Sequence, residues 1–320
     1  MIHFLAPTRG IDFYSTLTNL IYIFAMPIFF FVSGHFSKVS VDSPVKAFKS
    51  IFIPYIIFCV FWIIFSYFVL GYNLPKLPFL VPVYGLWFLF SLFIMRLILP
   101  ILVKIKYIIP ITIMLSLVLG LVSIPEDFFS YHRTFCFLPV FLFGYYYNDY
   151  KKTFYDKVGK YKSIINLLKS KVFVFIMLIL FIIIMWKFCS YVSFDLMQLR
   201  SSYVKSGLNN MEGIIARFII IISGIMAALF INKLIMNKTT FLTKFGVNSL
   251  AVYVLHFYFA RFISINLSNS PLKFIFTDPL LSGLYILFIV LLMTYFLSRD
   301  FITKIVNGLI NTFAKVITNP

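Results

Sequence analysis

The chain holds four histidines, and imidazole is the side chain whose ordinary charge change falls closest to neutral pH. Three of them stand beside other groups of chemical use. His3 lies in the opening segment MIHFLAP. His132 precedes Arg133 and follows a polar stretch with Glu126 and Asp127. His256 lies in SLAVYVLHFYFARF, three residues after Tyr253 and eight after Asn248. That spacing puts Asn248, Tyr253 and His256 on roughly one face of a helix. Such a histidine either touches a substrate or satisfies a polar core by bonding a neighbour. His3, by position alone, is a terminal residue; by chemistry it suits a general base or a nucleophile. Arg133, at the edge of an apolar run, is either a snorkelling anchor or a planar fork for phosphate or substrate oxygens. Ser33 and Gly34 form a small pair that either lets two helices approach closely or leaves room for a ligand, packing being the simpler reading. His35 receives no role. No His, Cys, Asp and Glu cluster has ligand spacing, so no metal is expected.

The elements that position these groups are apolar helices. Hydrophobic residues make up 62% of the chain and charged ones 12%, too few polar side chains to cover a water-soluble surface. Spanning a bilayer takes about 20 apolar residues, and nine such runs stand at 14–36, 51–70, 84–103, 107–122, 134–149, 172–192, 213–232, 247–267 and 279–298, the fourth and fifth short. The expectation is an all-α, polytopic transmembrane helix bundle forming a single integral membrane domain over 1–320, with membrane lipid around it. Cys59, Cys136 and Cys189 lie in or beside apolar runs with no paired spacing and read as packing residues. Nothing at the start has the pattern of a cleaved leader. Arg96, Arg217 and Arg261 lie near span ends and read as snorkelling side chains, and Trp87 as part of the interfacial aromatic belt.

A net charge of +18 invites a nucleic-acid partner, but the basic residues fall in short clusters between spans, so no nucleic acid is expected. One alternating set of loops, at 36–50, 104–106, 150–171, 233–245 and 299–320, holds 18 Lys and Arg, and the other set holds 6. The first set is thereby assigned to the cytoplasm, together with the C-terminus. Residue 1 would then lie outside, and MIHFLAP reads either as the tail of a first helix whose earlier part is missing or as a short outer N-terminus, between which composition does not choose.

Four segments together resemble the acyltransferase 3 family of membrane O-acyltransferases, and its sugar and capsular-polysaccharide O-acetyltransferase branch, which includes fucose 4-O-acetylase-like proteins. IHFLAP is similar to the end of the family's first helix, with its histidine. FAMPIFFFVSGHFSK, residues 24–38, is similar to a Met-Pro, aromatic run and Ser-Gly with a basic end. RTFCFLPVFLFGYY, residues 133–146, matches an Arg, Leu-Pro, aromatic pair and Gly-Tyr, and FGVNSLAVYVLHF, residues 245–257, a Gly, Ser-Leu, Tyr and His. LWFLFSLFIMR, residues 86–96, is also similar. The resemblance implies ten spans with both termini cytoplasmic, one more than the sequence shows. It also implies a basic residue about ten positions before the first-helix histidine, a position this chain does not contain.

The resemblance makes His3 the catalytic group, taking a proton from a sugar hydroxyl as it attacks the thioester of acetyl-CoA, or carrying the acetyl itself. It makes Arg133, His256, Ser33, Gly34 and Asn248 the substrate- or donor-binding set. The expected activity is transfer of acetyl to a cell-surface or capsular sugar or its lipid-linked precursor, in a bacterial cytoplasmic membrane. Acetyl-CoA is the co-substrate. Two rival readings are a polysaccharide exporter or lipid-linked sugar flippase, and an inactive truncated acyltransferase. The commoner flippases have twelve or more spans, and no repeated halves are found here.

Overall fold

The computed structural model describes residues 2–73, 79–82, 84–122, 128–158, 166–167, 170–235, 243 and 246–318. Among them every regular element is helical. Among the described residues the longer helices are α1 (Asp12–His35), α2 (Ser43–Phe68, with a π-helical turn at Phe48–Phe52), α3 (Tyr84–Leu102, opening on a 3-10 turn), α4 (Ile108–Leu119), α5 (Tyr131–Tyr145), α6 (Tyr147–Val158), α7 (Lys171–Tyr191), α8 (Asn210–Leu234), α9 (Ser249–Ser268), α10 (Pro279–Leu297) and α11 (Asp300–Thr318). Seven of these, α1, α2, α3, α7, α8, α9 and α10, are long and apolar enough to cross a membrane. The fourth and fifth apolar runs form the shorter helices α4 and α5, of 12 and 15 residues.

Helix α7 shows why lipid is the solvent. Its buried residues are Val174, Leu178, Phe181, Met185 and Cys189, one stripe at helical spacing. Its other faces are equally apolar: Phe175, Ile176, Ile179, Leu180, Ile183 and Ile184 are all exposed. A helix hydrophobic all round with one packed stripe is stable only where its free face meets hydrocarbon. Ends are fixed by local chemistry. Asn209 and Glu212 form a reciprocal capping box on α8, and the Asp278 carboxylate accepts from Leu281 N at the start of α10, where Pro279 gives up no needed donor.

Two stretches expected as loops are helical. Residues 147–158 form α6 with Lys151, Lys152 and Lys157 exposed. The tail forms α11, whose Val306 and Ile310 are buried while Lys304, Asn307, Asn311 and Lys315 are exposed. Short basic clusters had marked both as connections, but amphipathic helices carry the same charges on one face.

The chain divides into two compact units. One comprises 1–15, 44–93 and 237–320 and holds a helical turn Ile2–Leu5 with α2, α9, α10 and α11. Phe4 packs there against Ala260 and Ile289. Asn248, just before α9, donates to Ser298 O (2.7 Å) and Asp300 Oδ1 (3.0 Å), tying α9 to the junction of α10 and α11.

The other unit comprises 16–43 and 94–236. Its core joins Phe31, Val140, Ile221, Ile225 and Ala228. Because lipid is as apolar as leucine, tight van der Waals contact must hold such helices together, and small residues permit it. A Cβ on Gly34 would fall 1.9 Å from Phe141 O, and one on Gly144 would fall 2.1 Å from Phe31 O. The backbones of α1 and α5 therefore touch at both glycines. Arg217, expected to snorkel, is instead fully buried. Its guanidinium donates to Ser116 O (3.0 Å) and Ser201 O (2.6 Å) and lies over the Tyr203 ring, so protein carbonyls take its two terminal nitrogens. Trp87, in the first unit, is also buried rather than interfacial. The three cysteines are free and buried.

Candidate active site

His3 is not a loose end. It sits in the turn Ile2–Leu5 beside Phe4 and Leu5, both fully buried, so its backbone is pinned by the residues after it. Its ring lies 4.7 Å from Tyr84 and 5.2 Å from His256, centroid to centroid. Two imidazoles separated by 252 residues in sequence are thus brought together.

Each neighbour is held in turn. His256 Nδ1 lies 3.1 Å from Val252 O and 2.8 Å from Tyr253 O. Carbonyl oxygens only accept, so Nδ1 carries the proton and donates to both. In the neutral ring the lone pair then sits on Nε2, and the tautomer is set by the helix backbone. Tyr253, one turn away, donates from its hydroxyl to Gly85 O at 2.5 Å. That bond fixes the entry of α3 beside α9. Tyr84 adopts a left-handed conformation, φ 45°, which is strained for a bulky residue and is retained where the surroundings over-determine it. Its ring is stacked on Trp62 at 5.2 Å and 9°. Gly85 brings backbone close to the histidine: a Cβ there would lie 3.5 Å from His3 Nε2 and 3.3 Å from Phe257 Cδ1. The result is a pair of imidazoles in an aromatic wall of Trp62, Tyr84 and Phe257, a place where one ring can take a proton and the other is held in a defined tautomer.

Of the other predicted site residues, Asn248 belongs to this unit, and its amide is occupied at the α10–α11 junction. Ser33, Gly34 and Arg133 lie in the second unit. Gly34 is in backbone contact with α5, and Ser33 O accepts from Ser37 Oγ (2.6 Å). Arg133 is buried and donates to Gln198 Oε1 at 2.8 Å. His132 is fully buried. Glu126 and Asp127, expected beside it, lie outside the described residues.

Sequence reasoning missed Tyr84, Gly85 and Trp62 around His3, and Gln198 beside Arg133. The Tyr-Gly step just before an aromatic-rich span was a usable signal for Gly85, since glycine at such a place marks close backbone approach. Gln198 carried none beyond its polarity.

A family model described as an acyltransferase domain, that of the acyltransferase 3 family, matches residues 1–299. No curated protein and no solved structure matches the chain.

Proposed function

Because the chain belongs to the acyltransferase 3 family, we propose that it is a membrane O-acetyltransferase, one domain over 1–320, moving acetyl from acetyl-CoA to a hydroxyl of a cell-surface or capsular sugar or of its lipid-linked precursor. His3 is the base in this reading. As the sugar oxygen attacks the thioester carbonyl, its proton passes to the His3 ring, a C–O bond forms, and the tetrahedral intermediate collapses with loss of the CoA thiolate. The thiolate, or water, then takes the proton back and restores the neutral imidazole. His256, its tautomer fixed through Nδ1, presents Nε2 as an acceptor that orients the His3 ring or the incoming hydroxyl. Arg133 grips anionic oxygen of a substrate. Ser33, Gly34 and Asn248 act by packing and by fixing helix ends, not by touching substrate. The bacterial cytoplasmic membrane is the setting, with the C-terminus and the basic loops on the cytoplasmic side, where they attract the anionic donor.

The observation that carries the proposal is the 5.2 Å pairing of His3 with His256 in one compact unit. General base catalysis is worth about 10² to 10⁴ in rate, so His3→Gln, which keeps hydrogen-bonding capacity without titrating near neutral pH, is expected to lower O-acetylation by that order. The measurement is O-acetyl content of surface polysaccharide by proton NMR, in a deletion strain complemented at matched membrane abundance. Normal acetyl content in the His3→Gln strain removes His3 from the role of base.

A further inference from the structure

Helix α11 presents three different faces along its length. One is turned to the protein: Val306 and Ile310 are buried, and the helix packs on α2 and α9 within the first unit. A second is basic. Lys304, Gly308, Asn311 and Lys315 recur at helical spacing, so they form one stripe, and all four are exposed. Among the described residues neither lysine makes an ion pair, and Asp300, the only carboxylate in the helix sequence, accepts from Asn248. The third face is apolar and open. Phe301, Ile305 and Val316 lie roughly 80° round the helix from the lysines, at 3.6 residues per turn, and Phe301 and Val316 are 72% and 75% exposed.

The start of α11 is fixed at the end of a span. Arg299 donates to the Tyr295 hydroxyl and lies over its ring, 4.3 Å from the centroid. Both are exposed, and a basic and aromatic pair at a span end anchors at headgroup level. Asn248 holds the next turn through Ser298 O and Asp300 Oδ1. From there α11 is not among the helices apolar enough to cross a bilayer. Crossing would also drag Lys304, Asn311 and Lys315 through hydrocarbon. A helix with one packed, one apolar and one basic face fits along the bilayer surface, acyl chains against Phe301, Ile305 and Val316 and headgroups against the lysines.

We propose that α11 is a membrane-surface helix whose Lys304–Lys315 stripe binds the headgroups of anionic phospholipid, and that the bound lipid holds α11, and through it α9, in place. Charge selects the occupant. Two unpaired cations match a negative surface, whereas zwitterionic headgroups offer no net charge, and a second copy docked on the same face would bring lysines to lysines. The inference is independent of the acyl-transfer reading.

The test uses the full chain in nanodiscs of phosphatidylcholine with rising fractions of phosphatidylglycerol. The melting temperature is expected to rise saturably with the anionic fraction. Lys304→Gln and Lys315→Gln should each weaken the apparent lipid affinity about fivefold, the scale of one basic residue at an anionic surface. In pure phosphatidylcholine both variants should melt as wild type does, which separates lost lipid binding from lost folding. Nitroxides on Val316→Cys and Asn311→Cys report the placement, the three natural cysteines being buried. The label at 316 should be open to oxygen and shielded from a water-soluble nickel chelate, and the label at 311 open to the chelate. Chelate access at both positions places α11 in water, and shielding of both from oxygen and chelate alike means that another protein chain covers it. Either result overturns the proposal, as does a melting temperature indifferent to phosphatidylglycerol or raised equally in wild type and both glutamine variants.

Discussion

Replacing Gly34 with alanine asks whether the Ser33–Gly34 pair packs helices or makes room for a ligand. The new Cβ would lie 1.9 Å from Phe141 O and 2.9 Å from its carbonyl carbon, and such approaches below 3.0 Å essentially never occur. The obstacle is backbone, so no rotamer change relieves it, and α1 and α5 must separate locally by about 1 Å. Overpacking of this kind costs about 1–3 kcal/mol, and alanine regains up to about 1 kcal/mol of helix propensity over glycine. A net loss of about 1–2 kcal/mol is expected. Gly144→Ala meets Phe31 O at 2.1 Å, at the same crossing from the other side. One separation of the helices relieves both clashes, so the double variant should cost less than the two singles together. Gly308→Ala is the control: it lies inside α11 with nothing within 4 Å, and the same chemical change should raise stability there by up to about 1 kcal/mol. Titration of the purified protein with SDS from detergent micelles, followed by far-UV circular dichroism, gives all four values. If Gly34→Ala leaves stability unchanged while acetyl transfer falls, the pair makes room for substrate and the packing argument is wrong.

Gly85→Ala would press on the Phe257 ring at 3.3 Å and reach 3.5 Å from His3 Nε2. Melting should shift little while turnover falls by on the order of tenfold to a hundredfold, and wild-type turnover would show that the space beside His3 is unused. Arg133→Lys keeps the charge but loses the planar fork that reaches Gln198; acetylation should drop well below wild type at equal membrane abundance, and full acetylation would make Arg133 an anchor only. For orientation, a cysteine at Lys157 on the exposed face of α6 should react with an impermeant maleimide only after cells are permeabilised, and labelling of intact cells would reverse the topology.

Much of the architecture was written in local pattern. The stripe of α7 at 174, 178, 181, 185 and 189 follows from residue spacing, and so do the caps at Asn209 and Asp278. The family resemblance, carried by motifs around His3, Arg133 and His256, agrees with the match over residues 1–299. Contacts across long separations were not legible. Tyr84 meets His3, and Tyr253 meets Gly85, only because the fold joins residues tens to hundreds apart. Arg217 resembled any basic residue near a span end. What buries it is the return of residues 199–208 over α4 and α8, and no window of local sequence contains that event. The amphipathic tail was legible in principle: apolar residues recur at 302, 305, 306, 309, 310 and 313, but counting its charges as a loop masked the period.

The shortness of α4 bears on the membrane itself. Twelve residues of helix rise about 18 Å, well short of the roughly 30 Å of hydrocarbon in an average bilayer. The backbone that continues from its end is closed off by protein. Tyr203 N–H donates to Gly120 O at 2.9 Å, its hydroxyl donates to Leu117 O at 2.7 Å, and Arg217 takes Ser116 O. Irregular chain is tolerated at membrane depth only when so covered. Helix α4 alone is thus shorter than α7, whose 21 residues rise about 31 Å. A bilayer that matched α4 rather than α7 would have to thin, at a cost of fractions of a kcal/mol per Å. Activity in reconstituted vesicles should accordingly vary with acyl-chain length, with an optimum in bilayers thinner than α7 alone would select.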